Sequence, residues 1–385
     1  ILLAEIFQKF RKDLFNFSGL DPAHYISLPA FSFDSMMKVT KCHLELPTDI
    51  NIVQFIESGI RGGLSFINNR YLKIEKKTEK IFYIDANNLY GLAQTSKLPT
   101  SNLKFVNYSR YKNIDWSKID TEKNTGYILE VDLIYPENLH DLHSEFPLAP
   151  EFSQIEYNNL SPYCKKVYRN VSANKKYKYF KLLNSFHPRT NYVFHFKNLK
   201  LYLNLGMKLS KIHRVLSFTQ KNFIEPFIQI CTNARQKALT TFEQDQYKKV
   251  ANSTYGKTIQ NVRNYLNVKL NTNLNQLLKH SSDPNFKNYS ILDENLVQTN
   301  HFTPVILHDR PIFVGFAILE LSKHFMYDFF YNKLLKDSPC KIQLGFSDTD
   351  SFLIKVNESK AFLDHIEPFM DFSNYSTSHP FFSTK

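Results

Sequence analysis

Between Lys341 and Val356 two apolar runs, Lys341–Phe346 and Phe352–Val356, flank the string Ser347-Asp348-Thr349-Asp350-Ser351. Apolar runs on either side of a short polar turn predict strand, tight turn, strand. This stretch constrains the fold more than any other, because one hairpin must carry Asp348 and Asp350 close to its tip. Two carboxylates held in this way can present oxygens to a divalent cation. Hard oxygen donors suit Mg²⁺, which takes one or two carboxylates and completes its shell with water and substrate phosphates. Asp and Ser are also ordinary turn residues, so this string alone leaves a plain surface turn open.

Two segments upstream bear on that choice. In Ile81–Gly91 an apolar strand, Ile81–Asp85, ends in a carboxylate, and Tyr90 follows in the next turn. Asp85 at a strand end is placed to hold a metal, the Ala86 carbonyl can add an oxygen, and Tyr90 can lie flat beneath a sugar ring. A strand that ends in a polar turn is the plain alternative. In Gln246–Lys257 a helical pattern puts Lys248, Asn252 and Tyr255 at i, i+4 and i+7, on one face. A cation, an amide and a phenol on one face suit a nucleoside triphosphate, and Gly256 lets the backbone come close to a base pair. The alternative has Lys248 solvated, Asn252 in a cap and Tyr255 in the core.

Composition sets outer bounds. A chain of 385 residues can form two or three domains or one multi-lobed enzyme. Lys and Arg outnumber Asp and Glu by 48 to 36, a net charge of +12. That excess points to a polyanionic partner, namely nucleic acid, nucleotides or an acidic membrane surface, with a lysine-solubilised surface as the plain alternative. Cys42, Cys164, Cys231 and Cys340 lie far apart with no C-x-x-C pair, which argues against a disulfide framework or a cysteine zinc site and fits a reducing compartment. No apolar run approaches the roughly 18 residues of a membrane helix, and no secretory signal pattern is present.

Further elements are predicted along the chain. Residues 1–17 read as an amphipathic helix, with turns at Asp21-Pro22 and Leu28-Pro29. Leu199–Leu205 reads as a short helix closed by Gly206, and residues 221–262 carry the strongest helical signal. Residues 264–305 read as strands and loops, and Pro311–Tyr331 as a helix. His140 and His143 could ligate a metal, but without a matching Cys or carboxylate pattern they read as structural. The basic-aromatic run Lys175–Lys181 suits single-stranded DNA by charge and stacking, or a solvated face.

Taken in order, DANNLYG from Asp85, KVANSTYG from Lys249 preceded by Lys248, and FSDTDS from Phe346 resemble motifs A, B and C of family B DNA polymerases. DPAHYISLPAFSFDSMMKVT from Asp21, IESGIRGGLSFINNRY from Ile56, PLAPE from Pro147 and VGFAILELSKHFMYDF from Val314 resemble the protein-primed branch of phages, linear plasmids and Maverick/Polinton-type elements. The resemblance covers nearly the whole chain. It departs from the family pattern at Gly91 and Asn88 in motif A, Phe346 in motif C, Ile60, Leu319 and Lys323, and none of these is a metal ligand.

The resemblance implies an α+β fold. A right-hand polymerase palm of antiparallel sheet with helices would be joined by helical fingers and inserted subdomains, with exonuclease and thumb missing. The chain starts inside a helical pattern at Ile1 without an initiator Met and is expected to be a fragment. Implied units are an exonuclease tail over 1–25, palm over 26–100, a protein-primed insertion over 101–220, fingers over 221–262, a second insertion over 263–304 and palm over 305–385. The implied activity is DNA-directed DNA synthesis from dNTPs on a primer-template, begun from a primer 3′-hydroxyl or a priming (terminal) protein. Asp85, Ala86 and Asp350 would hold two Mg²⁺ ions with Asp348 in support, and Lys248, Asn252, Tyr255, Gly256 and Arg235 would meet the nucleotide. Tyr90 would reject ribose, while Arg61, Gly62, Gly63 and Lys323 would touch DNA. The location would be intracellular, nuclear if the source is a eukaryotic element, with no membrane partner. A different reading is an inactive nucleic-acid-binding relic. Reverse transcriptases end the corresponding hairpin in Tyr-x-Asp-Asp, unlike Ser347-Asp348-Thr349-Asp350.

Overall fold

A computed structural model describes residues 2–171, 178–373, 375–380 and 382. The predicted hairpin forms from strands Ile342–Asp348 and Ser351–Val356. Its two-residue loop places Thr349 in the left-handed region at φ 56°. The hairpin lies at the centre of a four-stranded antiparallel sheet. Ser65–Ile67 pairs with its first strand and Lys80–Asp85 with its second. One sheet face is apolar: Phe352 meets Phe146 and Phe330 with ring centroids 5.3 and 5.4 Å away, and Phe82 meets Phe362 at 5.5 Å. Each ring so buried contributes about 1.5–3 kcal/mol.

The helix Ile312–Phe329 is buried on every side from Ile312 to Lys323. A helix apolar all round belongs inside a protein or a membrane. This one lies inside, packed against helices Ile50–Ser58, Leu89–Gln94, Phe196–Asn204 and Thr241–Thr258. It continues into a π-helical turn, Phe330–Leu335. Among the described residues no helix is long and apolar enough to cross a membrane.

A second antiparallel sheet has the order Leu98–Phe105, Lys208–Lys221, Thr125–Ile134, Arg189–His195. The expected boundary at residue 100 falls inside the first of these strands. Residues 101–220 also share one continuous core with the first sheet, through Ile128, Phe194 and Tyr202. Outside that core, the Glu151–Glu156 and Lys178–Leu183 strands and the helix Pro162–Val171 bury no side chain that is described. The basic run Lys175–Lys181 straddles this unit, and its first three residues lie outside the described residues.

The helical stretch at 221–262 resolves into Glu225–Lys237 and Thr241–Thr258, the second capped by the Thr240 hydroxyl, which accepts from Glu243 N–H. Residues 264–305 form a three-stranded sheet, but also a helix, Leu274–Ser281, where only strands and loops were expected. Asn273 caps it. The predicted turn at Leu28-Pro29 is instead the first turn of helix Leu28–Thr40. Proline is at home there, since the first helical N–H groups have no helical acceptor. Phe196–Asn204 ends as expected, with Gly206 at φ 99°.

His143 is 5% exposed, and its Nδ1 accepts from the Tyr135 hydroxyl at 2.8 Å. His140 stacks on Phe186 at 4.4 Å. Both serve packing. Burial pushes His143 down to about 4 and the wholly buried His195 well below the usual histidine range. Both are therefore neutral in the folded chain, while in the unfolded chain each takes a proton below about pH 6.5. Stability is thus full above that pH and falls as pH drops towards 4, because the unfolded state binds more protons. We predict that urea unfolding at a series of pH values shows this loss, and that His143→Gln flattens it by about one proton. An unchanged slope would mean that His143 is not held neutral.

Candidate active site

Pairing between strands builds the site. Ser351 lies opposite Asp348 on one side and opposite Asp85 on the other. Residues directly opposed across antiparallel strands share a face. Asp348, Ser351 and Asp85 therefore form a row on one face of the sheet. Asp350 sits in the loop beside this row, and its carbonyl accepts the Ala86 N–H at 2.9 Å. Burial raises the Asp350 carboxyl above the ordinary range, and the charges of Asp85 and Asp348 raise it further. Lys248 acts in the opposite sense. Hence the three aspartates and the lysine share one electrostatic environment. Asp85, Ala86 and Asp350 line a cavity of about 630 Å³ whose walls are mostly apolar but also include Asp328, Lys333 and Asp371. Among the described residues no group of three or more His, Cys, Asp or Glu side chains is gathered tightly enough to hold a metal.

Tyr90 enters the site from helix Leu89–Gln94. Its ring lies parallel to that of Tyr255, centroids 4.5 Å apart and 6° from coplanar. Burial raises the Tyr90 hydroxyl, and Tyr255 and Asp350 raise it further. The Tyr90–Tyr255 stack thus joins the helix after Asp85 to the helix that carries Lys248. Asn252, between Lys248 and Tyr255, keeps a buried side-chain oxygen without a hydrogen-bond partner. Gly256 has open space where a Cβ would point. Arg235 is exposed in the last turn of Glu225–Lys237, and among the described residues no contact ties it to the aspartates.

The two motif A departures form one unit. Asn88 caps the Leu89–Gln94 helix by accepting the Gly91 N–H at 2.9 Å. A Cβ on Gly91 would stand 2.1 Å from the Asn88 amide nitrogen. The Asn88 cap therefore requires a free N–H at position 91, and a side chain there would force the Asn88 amide to shift from this placement.

Two of the residues expected to touch DNA have buried side chains. Arg61 is 8% exposed, its guanidinium donates to the Val193 carbonyl at 2.7 Å, and it lies over the Tyr192 ring at 3.9 Å. Lys323 is 5% exposed. Its ammonium donates to the Arg61 carbonyl at 2.8 Å and pairs with Glu320, itself 2% exposed, at 3.1 Å. Both cations are buried and donate to backbone carbonyls inside the fold. Burial lowers the Lys323 ammonium and the Glu320 charge partly offsets this. Sequence reasoning missed Thr349 and Leu64, which meet through the Thr349 N–H and the Leu64 carbonyl at 2.9 Å. The only sequence signal was a glycine pair ahead of a short strand.

The family profile described as DNA polymerase type B, organellar and viral, matches residues 1–332. The chain belongs to the organellar and viral type B DNA polymerases. The matched stretch of this type B chain holds Asp85, Tyr90 and Lys248 and ends before the Asp348–Asp350 hairpin. No curated protein matches it in sequence. Among solved structures it is similar to Phi29 DNA polymerase complexed with primer-template DNA, at 16% identity and TM-score 0.49, over 88% of this chain and 48% of that one. It is similar also to Phi29 DNA polymerase complexed with primer-template DNA and incoming nucleotide, at 14% identity and TM-score 0.47, over 86% and 48%. The type B chain thus spans about half the length of these polymerases.

Removing one partner of a buried ion pair costs about 3–5 kcal/mol. Lys323→Met should therefore lower the thermal midpoint sharply, with no change in the salt dependence of DNA binding. A lysine on a DNA phosphate would instead take about one from the salt slope when removed. A slope reduced by that amount in a folded Lys323→Met chain would restore the DNA-contact role.

Proposed function

We propose that this type B chain carries the nucleotidyl-transfer site of a DNA-directed DNA polymerase, moving nucleotides from dNTPs to a primer 3′-hydroxyl or to the hydroxyl of a priming protein. One observation carries the reading: the strand ending at Asp85 pairs with the hairpin so that Asp85 lies opposite Ser351 and the Ala86 N–H bonds the Asp350 carbonyl at 2.9 Å, which brings the two acidic residues together. Carboxylates crowded in this way need a cation.

The donor set fits Mg²⁺. Asp85, Asp350 and Ala86 line one cavity and can offer hard oxygens, and the like charges of the carboxylates are left partly uncompensated by Lys248. Two Mg²⁺ ions held there would neutralise the triphosphate and lower the barrier to attack by the primer hydroxyl. The remaining work falls to the chain's own groups. Phosphoryl transfer depends chiefly on positioning and charge. Lys248 binds the triphosphate, and Asp348 supports the carboxylate row. The Tyr90 ring, braced by Tyr255, would lie under the deoxyribose and reject a 2′-hydroxyl, a role its stacking on the Lys248 helix supports. Asn252 offers its unpartnered oxygen to the nucleotide side, and Gly256 leaves room beside the base. A net charge of +12 favours primer-template as the partner.

Two substitutions test this. Asp350→Asn should lower primer extension on the order of 10³-fold or more while DNA affinity stays within a few-fold; turnover near the parent level would remove Asp350 from the reacting centre. Tyr90→Val should raise kcat/KM for ribonucleotides relative to deoxyribonucleotides. Unaltered discrimination would show that the sugar is selected elsewhere.

A further inference from the structure

Arg61, Gly63 and Lys323 have no place in the proposed chemistry, yet Gly63 is packed tightly against the carboxylate hairpin, and Lys323 bonds the Arg61 carbonyl, two residues before Gly63. We infer that Arg61–Leu64 is a positioning strap for the Asp348–Asp350 turn, fastened to the core by Lys323. The inference rests on the reading of those aspartates as the reacting centre.

The strap touches the turn at its most strained residue. Thr349 is β-branched and holds φ 56°, a region such residues enter only when their surroundings impose it. Two contacts from the strap do so. The Leu64 carbonyl accepts the Thr349 N–H at 2.9 Å. Gly63 lies so close that a Cβ there would stand 2.4 Å from Thr349 Cγ2, 2.8 Å from Oγ1 and 3.0 Å from Cβ. The neighbouring Gly62 has nothing within 4 Å of the same position. The demand for glycine is therefore made at 63, and it is made by Thr349. Immediately after the strap, Ser65 pairs with Asp348 and Phe66 with Ser347, so the contact continues into the sheet.

The other end of the strap is anchored. The Arg61 carbonyl accepts the Lys323 ammonium, and Lys323 pairs with Glu320. Glu320 in turn accepts Asn198 Nδ2 at 2.9 Å and the His195 N–H at 3.2 Å. The Arg61 guanidinium holds the Val193 carbonyl. One run of four residues is thus tied to the helix Ile312–Phe329 and the strand Arg189–His195, and its far end sits on the residue between the two aspartates. A shift of this strap moves Asp348 and Asp350 relative to Asp85. Displacements of that kind cost rate while leaving substrate binding largely in place.

The test compares Gly63→Ala with Gly63→Ala/Thr349→Gly in the chain as it stands. Primer extension gives kcat and KM, titration with Mn²⁺ reports the carboxylate site, and primer-template affinity and the thermal midpoint are recorded beside them. Gly63→Ala should lower kcat roughly tenfold or more and weaken Mn²⁺ binding, with primer-template affinity within a few-fold. Thr349→Gly in the same chain should restore both, because glycine removes the colliding atoms and accepts the left-handed φ. If Gly63→Ala fails to fold, a folded and active double variant supports the strap. A double variant that stays inactive, or does not fold, overturns it. So does a Gly63→Ala chain that turns over normally on bound DNA but binds DNA poorly, since the segment would then be a DNA contact. An unsubstituted chain that neither extends primers nor binds Mn²⁺ overturns the reading of the aspartates as a reacting centre, and the strap with it. Normal Mn²⁺ binding and turnover in Gly63→Ala overturn the strap alone.

Discussion

The antiparallel pairing of Ser351 with Asp85 is the contact on which the rest of the site depends. A one-residue slip in that register would turn Asp85 to the opposite face of the sheet, into the apolar layer of Phe82, Phe352 and Phe362. The core prevents the slip. Ile84 opposite Phe352 and Phe82 opposite Ile354 must all face inward together. The apolar side of the sheet thus sets the geometry of its acidic side. Hydrophobic burial, which is non-directional, acquires direction through the two-residue alternation of the strands.

The acidic side opposes folding on its own terms. Three carboxylates in one neighbourhood repel, and burial first, then the charges of Asp85 and Asp348, raise the Asp350 carboxyl above its ordinary range. The fold supplies Lys248 from a separate helix as partial relief, while Lys323 in the core is paired with Glu320. A buried ion pair is a weak source of net stability, because both charges lose water. Its value here is geometric. The pair, with Asn198 and the Arg61 carbonyl, ties strand, loop and helix at one point where apolar side chains would pack without direction.

Much of this was legible in the residues. The hairpin, the strand ending at Asp85 and the i, i+4, i+7 face of Lys248, Asn252 and Tyr255 follow from short-range periodicity, and the structure forms each. Family membership was legible too, because residues 1–332 match the family pattern. What stayed hidden was decided over long range or by caps. Leu28-Pro29 carries a turn signal in sequence, but proline also suits a first helical turn, and here it opens the helix Leu28–Thr40. Leu274–Ser281 is too short to show its periodicity among strands. Arg61 and Lys323 look like surface cations in sequence. Their burial depends on Tyr192 and Glu320, which no local pattern associates with them.

The same limit explains why single departures from a motif mislead when taken one at a time. Asn88 and Gly91 each differ from the family B pattern, yet they are one interaction: an amide cap that needs an N–H three residues on, where a Cβ would force the amide to shift. A proline at 91 would remove the N–H that Asn88 holds. The cap fixes the start of the Leu89–Gln94 helix, and that start sets where Tyr90 stands against Tyr255. The ring facing the proposed sugar site is therefore oriented by a neighbour that takes no part in the chemistry. Thr349 is oriented in the same manner by Gly63. In both places a glycine is kept for the atoms of its partner, so the informative unit of sequence is the pair.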